Sequence, residues 1–276
     1  MDKITSIDEL KKMANKIRKH VIEMVFTAGS GHPGGCLSSA EIFAVLYFNE
    51  MNLDAKNPLW NERDYFVLSK GHVCPALYAA MAEKGFFPIE ELLTLRKYDS
   101  RLQGHPDMKK LPGIEVSSGS LGQGLSVAVG VALGLNLDKK SNRVYSLLGD
   151  GELNEGQIWE AIMTAGHYKL SNLCALVDRN QLQIDGYTED VKKLEPLKEK
   201  WEAFNWNVIE CNGHELDELL ASFTEARECK NKPSVIIAHT VKGKGVSFME
   251  NQCGWHGRAP KKEEFDNAMK ELEAGI

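Results

Sequence analysis

Six cysteines are present (Cys36, Cys74, Cys174, Cys211, Cys229 and Cys253), yet none forms a Cys-x-x-Cys pair. Without that spacing there is no zinc ribbon or dithiol redox motif, and the cysteines read as reduced thiols of a cytoplasmic protein. No apolar run approaches the ~18 residues that span a bilayer. The first twenty residues, MDKITSIDELKKMANKIRKH, lack the apolar stretch of a secretory signal. Positive charge is not in excess: 33 Lys and Arg stand against 39 Asp and Glu, a net charge of −6, which argues against broad nucleic-acid binding. There is no internal repeat, no low-complexity linker and no G-x-x-x-x-G-K-[ST] phosphate loop. The Gly122-Gln123-Gly124 segment is not a dinucleotide fingerprint, because Val127 stands where a small third residue is required. A nicotinamide-dependent oxidoreductase therefore lacks its main signature.

What is there is an ordinary globular composition, 43% hydrophobic and 26% charged, over 276 residues. Ser6 followed by Glu9 is a capping-box signal that opens a first helix through Leu10, Met13, Ala14, Ile17, Val21 and Val25. Gly29 to Gly35 interrupt it. Five short apolar runs read as buried strands: 66–68, 144–148, 173–177, 207–209 and 235–238. Helical patterns fall at 39–50, 75–84, 89–98, 122–137, 157–168, 193–204 and 215–229, with an amphipathic tail helix at 261–274. Strand–helix alternation predicts α/β architecture: one doubly wound parallel sheet with helices on both faces, as a single domain over 1–276.

Ligands of open parallel sheets bind outside the carboxyl ends of the strands. Four of the five strand runs end in polar or glycine-rich segments: Ser69-Lys70-Gly71-His72, Gly149-Asp150-Gly151-Glu152, Asp178-Arg179-Asn180, and His239-Thr240-Val241-Lys242-Gly243. Any one of them also reads as an ordinary turn; four together point to a site. Around Asp150 the two glycines permit a sharp turn and leave the carboxylate free to face a cation. Asn180 adds an amide oxygen after the next strand. Two such oxygens suit Mg²⁺ or Ca²⁺, with the remaining positions shared with a di- or polyphosphate. Four of the eight histidines, His32, His72, His105 and His256, lie in glycine-flanked loops without metal-like spacing. They read as proton-transfer and hydroxyl-recognition groups for a polar organic substrate.

The segments SGHPGG (30–35), LSKGH (68–72), QGHPD (103–107), SGSLGQG (118–124), GDGELNEG (149–156), DRNQLQIDG (178–186) and KGKG…WHG (242–257) span nearly the whole chain. In that order they resemble the N-terminal, diphosphate-binding part of the transketolase family of thiamine-diphosphate enzymes. The resemblance implies that Asp150, the amide of Asn180 and the backbone carbonyl of Leu182 hold Mg²⁺ or Ca²⁺. It implies that Gly151, His72, Lys242 and His256 contact the diphosphate, and that Gly119, Ser120 and Leu121 face the aminopyrimidine. His32, His105 and His256 would line the substrate channel. The implied reaction moves a two-carbon ketol unit from a ketose to an aldose, with thiamine diphosphate as electron sink.

Two positions depart from the family pattern: Val73-Cys74-Pro75 follows His72 where many members have Gly-Ser, and Arg258 lies close to His256. The segments matched belong to the N-terminal part alone, which predicts a split transketolase whose separate C-terminal subunit joins it as α2β2. A non-catalytic cofactor-binding or scaffold subunit is the competing expectation, as is action on an unusual sugar such as apulose phosphate or a sulfonated ketose.

Overall fold

The computed structural model describes residues 3–275. Five strands, β1 (Tyr65–Leu68), β2 (Val144–Gly149), β3 (Leu173–Arg179), β4 (Asn207–Asn212) and β5 (Ser234–His239), form one sheet in the order β1-β2-β3-β5-β4. Every neighbouring pair is parallel. All five lie where the apolar runs predict strands, each extended by one to three residues into the polar segments that follow or precede it.

Alternation along the strands separates two cores, as the two-residue period of a strand requires. Leu68, Leu147, Leu176, Ile209 and Ile236 point into one core, shared with α1 (Ile7–Ala28), α2 (Pro33–Ser38), α3 (Ala40–Val45) and α4 (Cys74–Lys84). Val67, Leu148, Val177, Val235 and Ile237 point into the other, beneath α5 (Gln123–Leu137) and α6 (Gly156–His167). The short α7 (Thr188–Val191) and α8 (Leu197–Ala203) follow β3, α9 (Leu216–Glu228) follows β4, and α10 (Lys262–Ala274) lies near the C-terminal end. α10 packs on α1, with Phe26 and Phe265 stacked at 4.3 Å and Asn15 donating to the Leu272 carbonyl at 2.7 Å.

Two helical expectations are shortened. The pattern at 89–98 forms only a 3-10 helix, Ile89–Thr94. Beyond it Leu95 turns extended and Arg96 takes a φ of 60°, so the chain folds back and Arg96 N donates to the Leu102 carbonyl at 2.9 Å. The pattern at 193–204 begins as a helix only at Leu197, because Pro196 disfavours helical backbone in the residue before it. At the first helix the Ser6 hydroxyl does cap the N–H of Glu9, at 3.4 Å.

Candidate cofactor site and histidine channel

The ends of β1, β2, β3 and β5 converge on a cavity of about 240 Å³ lined by Lys70, His72, Asp150, Gly151, Asn180 and Lys242, among others. Asp150 is 1% exposed. Its Oδ1 accepts from Gly151 N at 2.7 Å, and its Oδ2 accepts from Gln181 N at 2.5 Å and from Arg179 Nη1 at 3.2 Å. Burial, and then the charge of Asp178, push its carboxyl up to about 6, against the pull of Arg179 and the backbone donors. Asn180 Oδ1 accepts from Leu182 N at 3.1 Å. The Leu182 carbonyl accepts from Lys242 Nζ at 3.1 Å, and the same ammonium lies 3.0 Å from His256 Nδ1.

These groups suit a hard divalent cation. A carboxylate, an amide oxygen and a backbone carbonyl are all oxygen donors, and a cationic ammonium already rests on the carbonyl. Among the described residues no three His, Cys, Asp or Glu side chains are placed to hold a metal ion by themselves, so a cation here would draw its remaining ligands from phosphate or water. A cation here would favour the ionised form of buried Asp150, opposing the burial that raises its carboxyl to about 6.

Beside this cavity three imidazoles form a triangle, with a fourth next to one of its corners. The rings of His72 and His256 are 5.2 Å apart, His32 lies 5.2 Å from His72 and 5.6 Å from His256, and His105 stands 6.5 Å from His32. Burial, with the charge of Arg96, lowers His32 to about 4; burial, with the charge of Lys242, lowers His256 to about 4. Burial and Lys70 lower His72, and burial and Arg96 lower His105. All four are therefore neutral at pH 7, each offering one donor and one acceptor nitrogen. Gly119, at φ 145°, lies against the His105 ring, where an added Cβ would come within 3.0 Å. Leu121 lines the cavity. Gly119 and Ser120 sit outside its wall, on the exposed approach.

Several residues that support the site are given no role by the sequence motifs. Glu152, 3% exposed, accepts from the Ser69 hydroxyl at 2.5 Å and from the N–H groups of Gly122 and Gly149 at 3.0 Å each, joining three of the loops. Lys70, 1% exposed, pairs with wholly buried Asp178 at 2.5 Å. Burial opposes ionisation of Asp178, but the Lys70 charge and hydrogen bonds from Lys70, Thr240 and Ser38 outweigh it and hold the carboxyl at about 2. Arg179 reaches across to Glu189 (3.2 Å) and Glu195 (3.0 Å), tying the segment that walls the cavity to Asp150. A charged residue beside a glycine or at a strand end ordinarily reads as solvated; the one signal for these residues was their place within the segments that resemble the family. The family departures also find places. The Cys74 thiol donates to the Gly104 carbonyl at 3.2 Å beneath the His105 loop, and Arg258 lies over the Trp255 ring at 3.8 Å.

Comparison with known proteins finds that residues 9–274 match the family model described as transketolase, thiamine diphosphate binding domain. The chain is 48% identical to a protein named 6-deoxy-6-sulfo-D-fructose transketolase subunit SqwG from Clostridium sp. (strain MSTE9), over 96% of each. It is 43% identical to a protein from Phocaeicola vulgatus that is named as one of the subunits of an apulose-4-phosphate transketolase, covering 98% of this chain and 96% of that one. Human transketolase is 44% identical over 98% of this chain, which spans 43% of that protein's length. The crystal structure of transketolase from Campylobacter jejuni superposes with a TM-score of 0.91 at 34% identity, covering 98% of this chain and 43% of that one.

Proposed function

The chain belongs to the transketolase family through its thiamine-diphosphate-binding domain, and from that membership we propose that it is the N-terminal subunit of a split transketolase. It works with a separate C-terminal subunit, in an α2β2 assembly, to move a two-carbon ketol unit from a ketose or ketose-phosphate donor to an aldose or aldose-phosphate acceptor. Near-complete mutual coverage with two proteins named as transketolase subunits supports the split arrangement. Their printed substrates, a sulfonated fructose and apulose 4-phosphate, favour a second reading in which the donor is an unusual sugar of one of these kinds. Six free cysteines are in keeping with a cytoplasmic setting. No described helix is long and apolar enough to cross a membrane.

Thiamine diphosphate supplies, when bound, an electron sink for breaking and forming a bond next to a carbonyl. The protein's part is to hold and orient. Asp150, Asn180 and the Leu182 carbonyl would hold Mg²⁺ or Ca²⁺, and Gly151 N–H, His72, Lys242 and His256 would contact the diphosphate. Gly119, Ser120 and Leu121 form the approach on the aminopyrimidine side. His32, His105 and His256, neutral and closely spaced, hydrogen-bond the substrate's hydroxyl and carbonyl oxygens and carry protons between them.

The observation that supports this reading is that Asp150, Asn180 and Leu182 all line the one cavity at the strand ends. Asp150→Ala in the assembled complex tests it: ketol transfer should be lost together with metal-dependent cofactor binding. A scaffold role would leave the complex active.

A further inference from the structure

Asn180 can offer a cation its oxygen or, with the amide turned over, its amino group, and only the oxygen is a ligand. Something must fix that choice. The Asn180 amino group donates to Asp178 Oδ2 at 2.9 Å. The same carboxylate is wholly buried and accepts from Lys70 Nζ at 2.5 Å, Ser38 Oγ at 2.7 Å and the Thr240 hydroxyl. A carboxylate paired to an ammonium in this way has acceptors only. Turning the amide over would press its oxygen against that carboxylate and bury a repulsive contact.

We propose that Asp178 is the positioning residue that turns the Asn180 carbonyl oxygen toward the cation site. The inference rests on the reading of Asp150, Asn180 and Leu182 as a cation site, and extends it to a residue that does not touch the cation. Asp178 acts from beneath: the Lys70 and Ser38 donors hold the Oδ2 that reads the amide, while Thr240 takes the other oxygen of the carboxylate. The N–H of Leu182, on the other side of Asn180, favours the same orientation. The carboxylate of Asp178 is the stronger of the two readers, because a hydrogen bond to a charged acceptor outweighs one between neutral groups.

The probe is Mn²⁺ with thiamine diphosphate, titrated into the full chain in complex with its C-terminal partner and followed by the Mn²⁺ electron paramagnetic resonance signal. Asp178→Asn gives the residue at 178 an amino group of its own and should weaken Mn²⁺ binding about tenfold or more. Thr240→Val removes another donor to the same carboxylate without touching Asn180; it should lower the melting temperature and leave Mn²⁺ affinity within about twofold. If Asp178→Asn does not fold, Asn180→Asp decides. The added charge alone predicts tighter Mn²⁺ binding, whereas opposing carboxylates at 178 and 180 predict weaker binding. Mn²⁺ affinity unchanged in Asp178→Asn, equal loss in Thr240→Val, or tighter binding in Asn180→Asp would each overturn the proposal. Mn²⁺ binding by the wild-type chain that ignores Asp150→Ala would instead overturn the cation site itself.

Discussion

The Glu152 carboxylate and the backbone N–H of Gly122, thirty residues apart in the chain, meet at 3.0 Å. The other carboxylate oxygen takes Gly149 N at 3.0 Å, and Ser69 donates from a third loop. One buried side chain thus holds three walls of the cavity at fixed spacing. Each contact needs an acceptor, so Glu152→Gln places an amino group against a donor that it cannot satisfy. The expected loss is about 1–3 kcal/mol of stability, with weaker thiamine diphosphate binding by the assembled protein. Thermal melts and cofactor titration measure the two together.

Glycines on α5 separate close packing from open surface. A Cβ at Gly124 would lie 2.5 Å from the Ser69 hydroxyl and 2.6 Å from its Cα, whereas a Cβ at Gly130 would meet nothing within 4 Å. Gly124→Ala should therefore cost about 1–3 kcal/mol through overpacking. Gly130→Ala should be neutral or stabilising by up to about 1 kcal/mol in the isolated chain, from helix propensity alone. Denaturant melts of the two variants check both signs.

The imidazole cluster divides by position. His72 lines the cavity, while His105 stands outside its wall, next to His32. His72→Ala should weaken cofactor binding about tenfold, the worth of one well-placed hydrogen bond. His105→Ala should leave cofactor affinity within about twofold and raise the KM for the donor sugar about tenfold on the same scale. Steady-state kinetics of the assembled enzyme, paired with cofactor titration, separates the two effects.

The sheet was legible in the sequence because fully covered parallel strands are short uninterrupted apolar runs, as 173–177 and 235–238 are. The helix at 89–98 was not, because its apolar spacing is sound while the turn at Leu95 and Arg96 is imposed by contacts made elsewhere, with Leu102, Ser30 and Gly104. At the site, the glycine-flanked Asp150 and the loop histidines announced themselves by composition. Glu152, Lys70 and Asp178 did not. Their function is to be buried against one another, and burial of a charge depends on partners 83 and 108 residues away in the chain.

His20 and the channel histidines give stability opposite pH dependences. His20 joins α1 to α4 through Glu83 at 2.8 Å, with Glu23 at 3.4 Å. Burial pulls it down, but its hydrogen bonds to Glu23 and Glu83 and their charges prevail and raise it from 6.5 to about 9. Its stabilisation is complete below pH 6.5 and is lost as pH climbs through 9. His32 and His256, lowered to about 4, favour the fold above pH 6.5 and withdraw that support as pH falls toward 4. Urea melts should show wild-type stability declining between pH 6.5 and 9. His20→Gln should be about 1–2 kcal/mol less stable at pH 6 and show a flatter alkaline limb.

A split enzyme makes this chain dependent on a second one, and reconstitution exposes that dependence. Ketol transfer from a ketose phosphate to an aldose phosphate, with thiamine diphosphate and Mg²⁺ present, should be measured for the chain alone and after addition of its C-terminal partner. Little or no turnover is expected from the chain alone, and full turnover on reconstitution. Robust transfer by the isolated chain would contradict the two-chain reading.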